Sequence, residues 1–594
     1  MVDFLGDLKR TDYCGDLRPS DVGREVVLMG WVQRRRDHGG LIFVDLRDRQ
    51  GIVQVVFNPE VAPEAHAKAH GIRNEFVLAV RGDVVMRPSE GVNPGLNTGE
   101  IEVLTEELRI LSVSETPPFL IEDNGEISEN VRLKYRYLDL RRPRLQGNLI
   151  LRHNVAKAVR TYLDGQGFLE IETPVLTRST PEGARDYLVP SRVNPGRFYA
   201  LPQSPQLFKQ LLMISGFDRY FQIVKCFRDE DLRMDRQPEF TQIDIEMSFV
   251  GVEDIRRTME GMMASIFKEV LERDLPIPFP ALSYDEALDR YGTDKPDIRF
   301  GMELMGISDL ARESTFELLR EAIGEGGIAK GMTVKGGASL SRREVDELVA
   351  FVQEHGAHGL GWVKVVSEGW QSPIAKFLDE SLKGAIAERM GAEKGDLVLF
   401  VAGGEEVVNR ALANLRLHLG EKLGLIPSDA YRFVWVRDFP LLEYSEEEGR
   451  FLAVHHPFTA PRDEDIPMLE DHPEDVRAKS YDLVLNGFEI GGGSIRNHIM
   501  EVQSMVFRKL GIGEEEASKR FGFLMEALRY GPPPHGGIAF GFDRIVMILS
   551  GSDSIREVIA FPKTQKATCP LTEAPTEVDS KQLDELSIKV KPAV

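Results

Sequence analysis

Two carboxylates, Asp482 and Glu489, flank the dipeptide Asn486-Gly487 in a β-rich part of the chain. Asn-Gly is typical of a two-residue hairpin turn, and the turn fixes the register of the strands on either side. In that register Glu489 and Asp482 are diagonal neighbours on one face of the hairpin. Two carboxylates so close, beside a polyphosphate, predict a magnesium site that retains several waters. Alternatively, one of them pairs with Arg496.

A second polar surface, beside the hairpin, is predicted from residues 227–230 and the strand-like run that follows them. Period-two alternation places Arg228 and Glu230 on one strand face. A guanidinium there suits a phosphate whose charge is redistributed during in-line displacement. The alternative is a salt-bridged sheet surface. The same alternation puts three polar residues on one face of the returning strand: Gln242, Asp244 and Glu246.

The N-terminal residues, 1–112, are predicted to form a β-barrel. Five short strands with one helical interruption match an OB-fold, whose exposed face commonly binds oligonucleotides. The net charge of −22 argues against nucleic-acid binding, but only the local footprint has to be positive, as in the run at 34–36. Arg36, Phe43 and Gln54 would supply a phosphate contact, a stacking ring and a base-edge amide. Alternatively, Phe43 lies in the barrel core and Gln54 is a solvated strand residue.

The rest of the chain is predicted to be a multidomain α+β protein in which one domain interrupts another. A long helix over 145–165 and a strand over 168–174 open the larger domain. Within the interruption, Ser341 and Glu344 form a capping box that starts a helix. No charge-bearing motif occurs there, which favours a packed insertion with an interaction role. The predicted segments are a hinge connector (113–142), the larger domain in two parts (143–288 and 425–562), the inserted α+β domain (289–424) and a polar C-terminal extension (563–594).

Several classes of protein are excluded by composition. No run approaches the ~20 apolar residues that span a bilayer, so no membrane contact is expected. Three widely separated cysteines form no disulfide framework or metal-ligand spacing, which fits a reducing cytoplasm. The chain has no G-x-x-x-x-G-K-[ST] phosphate loop.

Three separated signatures together resemble a known family. They are the 145–174 helix and strand, the sequence FRDE at 227–230, and GIAFGFDR at 537–544. In this order they resemble motifs 1, 2 and 3 of the class II aminoacyl-tRNA synthetases. The segments PEGARDYLVPSR, QSPQLFKQ, RQPEFTQID, HHPF and NGFEIGGGSIR are similar to those of the bacterial aspartyl-tRNA synthetases. The resemblance covers nearly the whole chain. It implies an OB-fold anticodon-binding domain, an antiparallel catalytic sheet, a GAD-type insertion and a homodimer joined partly through motif 1.

The resemblance also implies ATP as a substrate, with Mg²⁺ at Asp482 and Glu489. Arg228, Glu230 and Arg544 are the expected catalytic residues, with Arg228 on the α-phosphate and Arg544 on the γ-phosphate. The other residues expected at ATP are Asp229, Gln237, Glu489, Gly541, Phe542 and Asp543.

Aspartate recognition is expected to depend on fixed cations, since its side chain is a carboxylate. Lys209 and Arg496 are the candidates, with Arg496 bidentate. Asp244 and Glu182 would hold the ammonium group. The remaining expected contacts are Arg228, Ser204, Gln206 and His455, with His456 the more structural of the histidine pair.

The implied reaction needs no side-chain nucleophile. The aspartate α-carboxylate attacks ATP, and the 3′ ribose hydroxyl of tRNA then attacks the adenylate. Asparaginyl- and lysyl-tRNA synthetases share the barrel and the three motifs but lack the large insertion. An inactive synthetase-like RNA-binding protein is the alternative from another class.

The choice of tRNA is expected to depend on His38 and Gly91. The resemblance implies that strictly aspartate-specific bacterial members carry a leucine at the position of His38 and a bulky basic residue near that of Gly91. Imidazole can donate or accept, so it could satisfy either pyrimidine at the third anticodon base. These residues predict aspartylation of both tRNA(Asp) and tRNA(Asn), with an amidotransferase partner for the mischarged product. His38 could also be only a solvated turn residue.

Overall fold

The computed structural model describes residues 2–180, 184–231 and 234–591, without the side chain of Leu318. Its contacts divide the chain into two units, 1–152 with 556–577 and 153–555 with 578–594. No helix among the described residues is both long and apolar enough to cross a membrane.

The first unit contains the predicted barrel, and the OB-fold is confirmed. The barrel closes in the order β1-β2-β3-β5-β4, with β3 and β5 parallel. Alternate side chains fill its interior, where Val26, Leu28 and Val44 are fully buried. Its elements are β1 (Glu25–His38), β2 (Leu41–Asp48), β3 (Gly51–Phe57), α1 (Pro63–Ala69), β4 (Val77–Met86) and β5 (Ile101–Ser112).

The connector in the same unit is organised by one buried carboxylate. Asp139 is fully buried and forms ion pairs with Arg132, Arg136 and Arg142 at 2.6 to 3.1 Å. A buried carboxylate needs such partners to offset its lost hydration. Three helices follow one another here: α2 (Glu129–Lys134), α3 (Arg136–Asp139) and α4 (Pro143–Gly165).

The second unit is built on an eight-stranded sheet, in the order β11-β17-β20-β21-β22-β10-β9-β6. The six central strands are antiparallel, as expected, and the two edge pairs are parallel. The strands of the unit are β6 (Leu169–Glu170), β7 (Leu188–Pro190), β8 (Phe198–Ala200), β9 (Arg219–Phe227), β10 (Glu239–Ser248), β11 (Ala281–Ser283), β12 (Met305–Gly306), β13 (Ile328–Val334), β14 (Gly361–Val366), β15 (Gly369–Gln371), β16 (Leu397–Gly403), β17 (Phe433–Arg437), β18 (Leu442–Ser445), β19 (Arg450–Ala453), β20 (Ser480–Leu485), β21 (Phe488–Ile495) and β22 (His535–Gly541).

The second unit also contains twelve complete α-helices among its described residues. They are α5 (Gln206–Ile214), α6 (Val252–Leu271), α7 (Tyr284–Tyr291), α8 (Ser308–Glu313), α9 (Glu317–Gly324), α10 (Arg342–Glu354), α11 (Glu380–Arg389), α12 (Glu405–Lys422), α13 (Met500–Lys509), α14 (Glu514–Ala527), α15 (Phe542–Leu549) and α16 (Ser580–Glu585).

A separate five-stranded sheet, β12-β13-β16-β14-β15, lies within the predicted insertion. The capping box that starts α10 is confirmed, because the hydroxyl of Ser341 accepts the N–H of Glu344 and the carboxylate of Glu344 accepts the N–H of Ser341. The apolar faces of α10 and α12 pack with this sheet in one cluster that includes Val345, Leu348 and Leu412.

One predicted strand is much shorter than expected. The run 168–174 forms only the two-residue strand β6, which pairs in parallel with β9 at the edge of the large sheet. Pro174 lacks an N–H to donate, and the segment leaves the sheet before reaching it.

Candidate functional site

A cavity of about 210 Å³ lies beside the β9–β10 connection, the first residues of β21, the end of β22 and the start of α15. It gathers residues that are far apart in the chain, as expected for a site built on a sheet. The residues predicted for ATP that line it are Arg228, Glu230, Gln237, Glu489, Gly541, Asp543 and Arg544.

Two residues predicted for ATP are not lining residues. Asp229 lies on the connection but pairs with Arg185 at 3.8 Å, and its backbone N–H bonds the carbonyl of Arg185. Phe542 is in the core, with 2% of its surface exposed. Asp543 does line the cavity, yet its carboxylate accepts the backbone N–H of Thr241 at 2.7 Å. That bond ties the start of α15 to β10.

The prediction that Arg228 and Glu230 alternate on a strand is wrong. Strand β9 ends at Phe227, so both side chains belong to the connection that follows it. Arg228 reaches the cavity from there, and its guanidinium carbon lies 5.1 Å from the centre of the Phe240 ring. Phe240 also lines the cavity and was not predicted, although it shares the alternation of Gln242 on β10.

Arg544 already has an acidic partner in this structure. One of its terminal nitrogens donates to the carbonyl of Glu489, and the other donates to the carboxylate of Asp235 at 2.9 Å. Its Nε is buried and, among the described residues, without a hydrogen-bond partner. The carboxylate of Asp235 is therefore bonded to the Arg544 guanidinium, which was expected to bind a phosphate.

Four buried charges form a neutral cluster near β10. The Nζ of Lys209 lies 2.8 Å from Asp244 and 3.4 Å from Glu246. Arg496 donates two hydrogen bonds to the carboxylate of Glu246, from Nε at 2.9 Å and from Nη2 at 3.0 Å. Burial alone would raise the pKa of Glu246, but the charges of Arg496 and Lys209 outweigh it and leave that pKa below its ordinary value.

This cluster corrects two expectations for Arg496. Its bidentate partner is Glu246 rather than a vacant place for a substrate, and it pairs with neither Asp482 nor Glu489. The third nitrogen, Nη1, lies 2.8 Å from the hydroxyl of Ser494 and 2.6 Å from Nε2 of His456. Glu246 and Ser494 together accept three of the five guanidinium N–H groups, so at least one is left for a further acceptor even where His456 accepts another.

Unpaired polar atoms surround the cluster. Within the described part of the chain, Oδ2 of Asp244, Nε2 of Gln206 and Nε2 of His455 are buried without a hydrogen-bond partner. Buried polar groups are normally satisfied, so these atoms are candidates for bonds to a polar ligand that both accepts and donates. The hydroxyl of Ser204 accepts the backbone N–H of Gln206 at 3.2 Å. Glu182, expected at the ammonium group, lies outside the described residues.

The two histidines have different surroundings. His456 contacts Arg496, and its Nδ1 accepts the backbone N–H of Phe458 at 3.1 Å. Nε2 of His455 lies 3.6 Å from Oδ1 of Asp482. Burial lowers the pKa of His455 to about 4, so its imidazole is neutral at pH 7.

The carboxylate pair is close, and the Asn486-Gly487 turn forms as predicted, with φ of 53° and 85°. A bulge at residue 490 shifts the register, so Asp482 faces Gly492. A Cβ on Gly492 would lie 2.6 Å from Asp482 Oδ1 and 3.5 Å from Glu489 Oε1. Burial, reinforced by the charge of Glu489, raises the pKa of Asp482 well above its ordinary value. Two repelling oxygen ligands of this kind fit a hard divalent cation such as Mg²⁺.

The outer face of the barrel carries the residues predicted for an anticodon. Arg36 donates to Asp45 at 2.7 Å and to Gln54 at 2.9 Å, and Gln54 donates to Glu102 at 2.6 Å. Phe43 is half-buried on this face, because its strand neighbours point into the core, so the alternative that Phe43 is a core residue is wrong. Glu102 was not predicted.

His38 and Gly91 lie at strand and turn positions of the same unit. His38 is the last residue of β1, paired with Leu41, and not a loop residue. Gly91 ends a 3-10 turn, and a Cβ there would meet only Pro88, at 3.9 Å. A larger side chain would therefore fit at position 91. Because the residue there is glycine, the space beside this turn is left unfilled.

Comparisons with protein families identify both parts of the chain. Residues 128–565 match the model "tRNA synthetases class II (D, K and N)", and residues 26–111 match "OB-fold nucleic acid binding domain". The chain is 62% identical over 590 residues to the aspartate–tRNA(Asp/Asn) ligase of Syntrophotalea carbinolica, covering 99% of each protein. It is 61% identical to the protein of that name from Thermoanaerobacter pseudethanolicus, covering 99% of this chain and 100% of the relative.

Solved structures share the fold at low identity. Asparaginyl-tRNA synthetase from Pyrococcus horikoshii, complexed with asparaginyl-adenylate, is 20% identical with a TM-score of 0.60, covering 94% of this chain and 98% of that one. Aspartyl-tRNA synthetase from Entamoeba histolytica is also 20% identical, with a TM-score of 0.57 and coverage of 93% and 91%.

We expect Asp482→Asn to raise the thermal unfolding midpoint at pH 7 without divalent cations. Because the folded-state pKa of Asp482 is raised, its stabilising contribution is complete below the unfolded value of 3.8 and is lost as pH rises through the folded pKa. Each pKa unit between the folded and unfolded states corresponds to about 1.4 kcal/mol in the free energy of unfolding. The difference in midpoint between Asp482→Asn and wild type should become smaller as the pH falls toward 4. Exposed Asp471→Asn is the control, and equal midpoints for Asp482→Asn and wild type at pH 7 would contradict the expectation.

Proposed function

The chain belongs to the class II tRNA synthetases of the D, K and N type, and on that premise we propose that it attaches L-aspartate to tRNA(Asp) and tRNA(Asn) at the expense of ATP. The observation that carries this proposal is the full-length match to relatives named aspartate–tRNA(Asp/Asn) ligase at about 60% identity. Asparaginyl- and lysyl-tRNA synthetases are less well supported, because the likeness to an asparagine enzyme is at the level of fold.

The buried charge cluster supports a binding site for aspartate. The free N–H of Arg496 and the cation of Lys209 would face the side-chain carboxylate of the substrate. The unpaired Oδ2 of Asp244 would accept from its ammonium group. Gln206 and His455 offer further polar atoms, and Ser204 contacts the backbone of Gln206. Glu182 remains a candidate for the ammonium group. A small ligand with two carboxylates and one ammonium group matches this arrangement better than an amide does.

The cavity beside the cluster would hold ATP, and the reaction then needs positioning and charge stabilisation alone. The α-carboxylate of aspartate attacks the α-phosphorus, the bond to pyrophosphate breaks, and aspartyl-adenylate forms. Arg228 would stabilise the α-phosphate, the Phe240 ring would stack on the base, and Arg544 would take the γ-phosphate after Asp235 leaves it. The 3′ hydroxyl of tRNA then attacks the acyl carbon and releases AMP.

Asp482 and Glu489 would hold Mg²⁺. When bound, the ion would neutralise negative charge on the phosphates of ATP. The raised pKa of Asp482, caused by burial and reinforced by the charge of Glu489, supports this assignment.

Apolar side chains on residues 169–199 support a homodimer. Between 40% and 77% of the surface of each is exposed, a concentration that favours a covered interface. They are Leu169, Val175, Leu176, Leu188, Val193, Phe198 and Tyr199. The reaction belongs in the cytoplasm, where tRNA is charged, and aspartate placed on tRNA(Asn) would require an amidotransferase partner.

Removal of the Arg496 guanidinium should abolish aspartate activation. Arg496→Leu alone would leave Glu246 buried without its partner, so Arg496→Lys and the double variant Arg496→Leu/Glu246→Gln keep the local charge balanced. We expect each to lose about two to three decades in aspartate-dependent ATP–pyrophosphate exchange, equivalent to ~3–4 kcal/mol. A folded variant with the wild-type exchange rate would refute the assignment.

Glu489→Gln should weaken the adenylate step and leave tRNA affinity nearly unchanged. Loss of one carboxylate ligand should reduce exchange at limiting Mg²⁺ by about tenfold or more. Exposed Glu515→Gln serves as the control. Equal losses in exchange and tRNA affinity would make Glu489 a structural residue.

Charging assays with the two purified tRNAs test dual specificity. Wild-type protein should aspartylate both, because His38 and Gly91 impose no barrier against the third base of the asparagine anticodon. His38→Leu should reduce charging of tRNA(Asn) by about tenfold relative to tRNA(Asp), the worth of one hydrogen bond. Asp37→Asn, on the opposite strand face, is the control. Efficient charging of tRNA(Asp) alone would refute dual specificity, and failure of both charging and exchange would refute the enzyme itself.

A further inference from the structure

One arginine of the inserted domain organises a length of irregular backbone. Arg416, on α12, has 2% of its surface exposed. Its hydrogen bonds in the structure go to main-chain carbonyls of one segment, residues 297–302, which we call the clamp segment. The bonds are Nε to Met302 at 3.1 Å, Nη1 to Asp297 at 3.0 Å, and Nη2 to Phe300 and Gly301 at 2.8 Å each.

The helix face that carries Arg416 is fitted to this segment. The guanidinium carbon lies 4.0 Å from the centre of the Phe300 ring, within cation–π distance. Gly420 lies one turn further along, and a Cβ there would come within 2.8 Å of the same ring. A planar donor with five N–H groups suits such a set of acceptors, whereas a lysine ammonium does not.

The clamp segment reaches the catalytic hairpin. A Cβ on Gly487 would lie 3.2 Å from the Cβ of Asp297, so the backbone turn between β20 and β21 is in direct contact with the segment. The side chain of Asp297 is itself fixed by Arg299, at 2.6 Å. Because Asp482 and Glu489 stand on the two strands that leave this turn, their separation depends on where the turn is held.

The clamp segment is the later part of a longer irregular stretch. Thr293 and Asp294 are joined by a side-chain hydrogen bond, and residues 293–302 contain no helix or strand. Arg416 therefore fixes the later part of this stretch through four hydrogen bonds from one buried side chain.

We propose that Arg416 is a positioning residue for the carboxylate pair Asp482 and Glu489, acting through the clamp segment and the Asn486-Gly487 turn. The inserted domain thereby contributes to the Mg²⁺–ATP site without touching either ligand. This inference rests on the proposed function, since it assigns the pair to Mg²⁺. It goes beyond that function in giving the insertion a part in the first chemical step.

The experiment compares full-length wild type with Arg416→Lys and Arg416→Met. Arg389→Lys is the matched control, because Arg389 also lies in the insertion and donates to a carbonyl and a carboxylate, those of Gly306 and Asp309. The thermal unfolding midpoint is measured against Mg²⁺ concentration at fixed ATP, with aspartate omitted so that no adenylate forms. Aspartate-dependent exchange is then measured over the same Mg²⁺ range.

We expect Arg416→Lys to raise the Mg²⁺ concentration for half-maximal stabilisation by about tenfold, as for residues that orient metal ligands. Exchange should show the same displacement, with the KM for aspartate and tRNA affinity unchanged. Arg389→Lys should behave as wild type. A lowered midpoint for Arg416→Lys with wild-type Mg²⁺ dependence would overturn the inference, as would an equal displacement in Arg389→Lys. If Arg416→Met does not fold, Arg416→Lys decides alone.

Failure of the proposed function gives a different result. Wild-type protein would then show no aspartate-dependent exchange at any Mg²⁺ concentration. The thermal titration would still report whether Arg416 affects binding of Mg²⁺ with ATP, because that measurement requires no turnover.

Discussion

The fold and the site both depend on the pairing of Glu246 with Arg496. Both groups are almost fully buried, and neither could remain charged there without the other. The pair links β10 to the residue that follows β21, while Lys209 brings α5 to the same place. Burial of ions is favourable only when the remaining hydrogen bonds are satisfied, and Ser494 supplies one of them. Three elements are thus fixed relative to one another by the charges that would recognise the substrate.

Close approach of strands explains the glycines beside this pair. A Cβ on Gly493 would lie 2.9 Å from both Tyr481 and Ile538, and one on Gly492 would enter the space between the two carboxylates. The glycine run in β21 therefore has two causes, packing against β20 and β22 and space for ligands.

Features with local causes were predicted well from the sequence, and long-range partners were not. The Asn486-Gly487 turn and the capping box at Ser341 depend on residues within a few positions, so their residue types are sufficient evidence. The partner of Arg496 lies 250 residues away, and that of Arg544 lies 309 away. Sequence spacing carries no information on such pairs. Arg416 was missed for the same reason, since its acceptors are backbone carbonyls, which every residue possesses.

At the proposed ATP site, the contact between Asp235 and Arg544 would make nucleotide binding an exchange of anions. A carboxylate already bonded to the guanidinium must depart before a phosphate can take its position. The apparent dissociation constant of ATP then equals the intrinsic one divided by the fraction of molecules in which Arg544 is released. An internal competitor of this kind would raise the ATP concentration needed for half-saturation without changing the shape of the binding curve. It also gives Arg544 a counter-charge from the connection between β9 and β10.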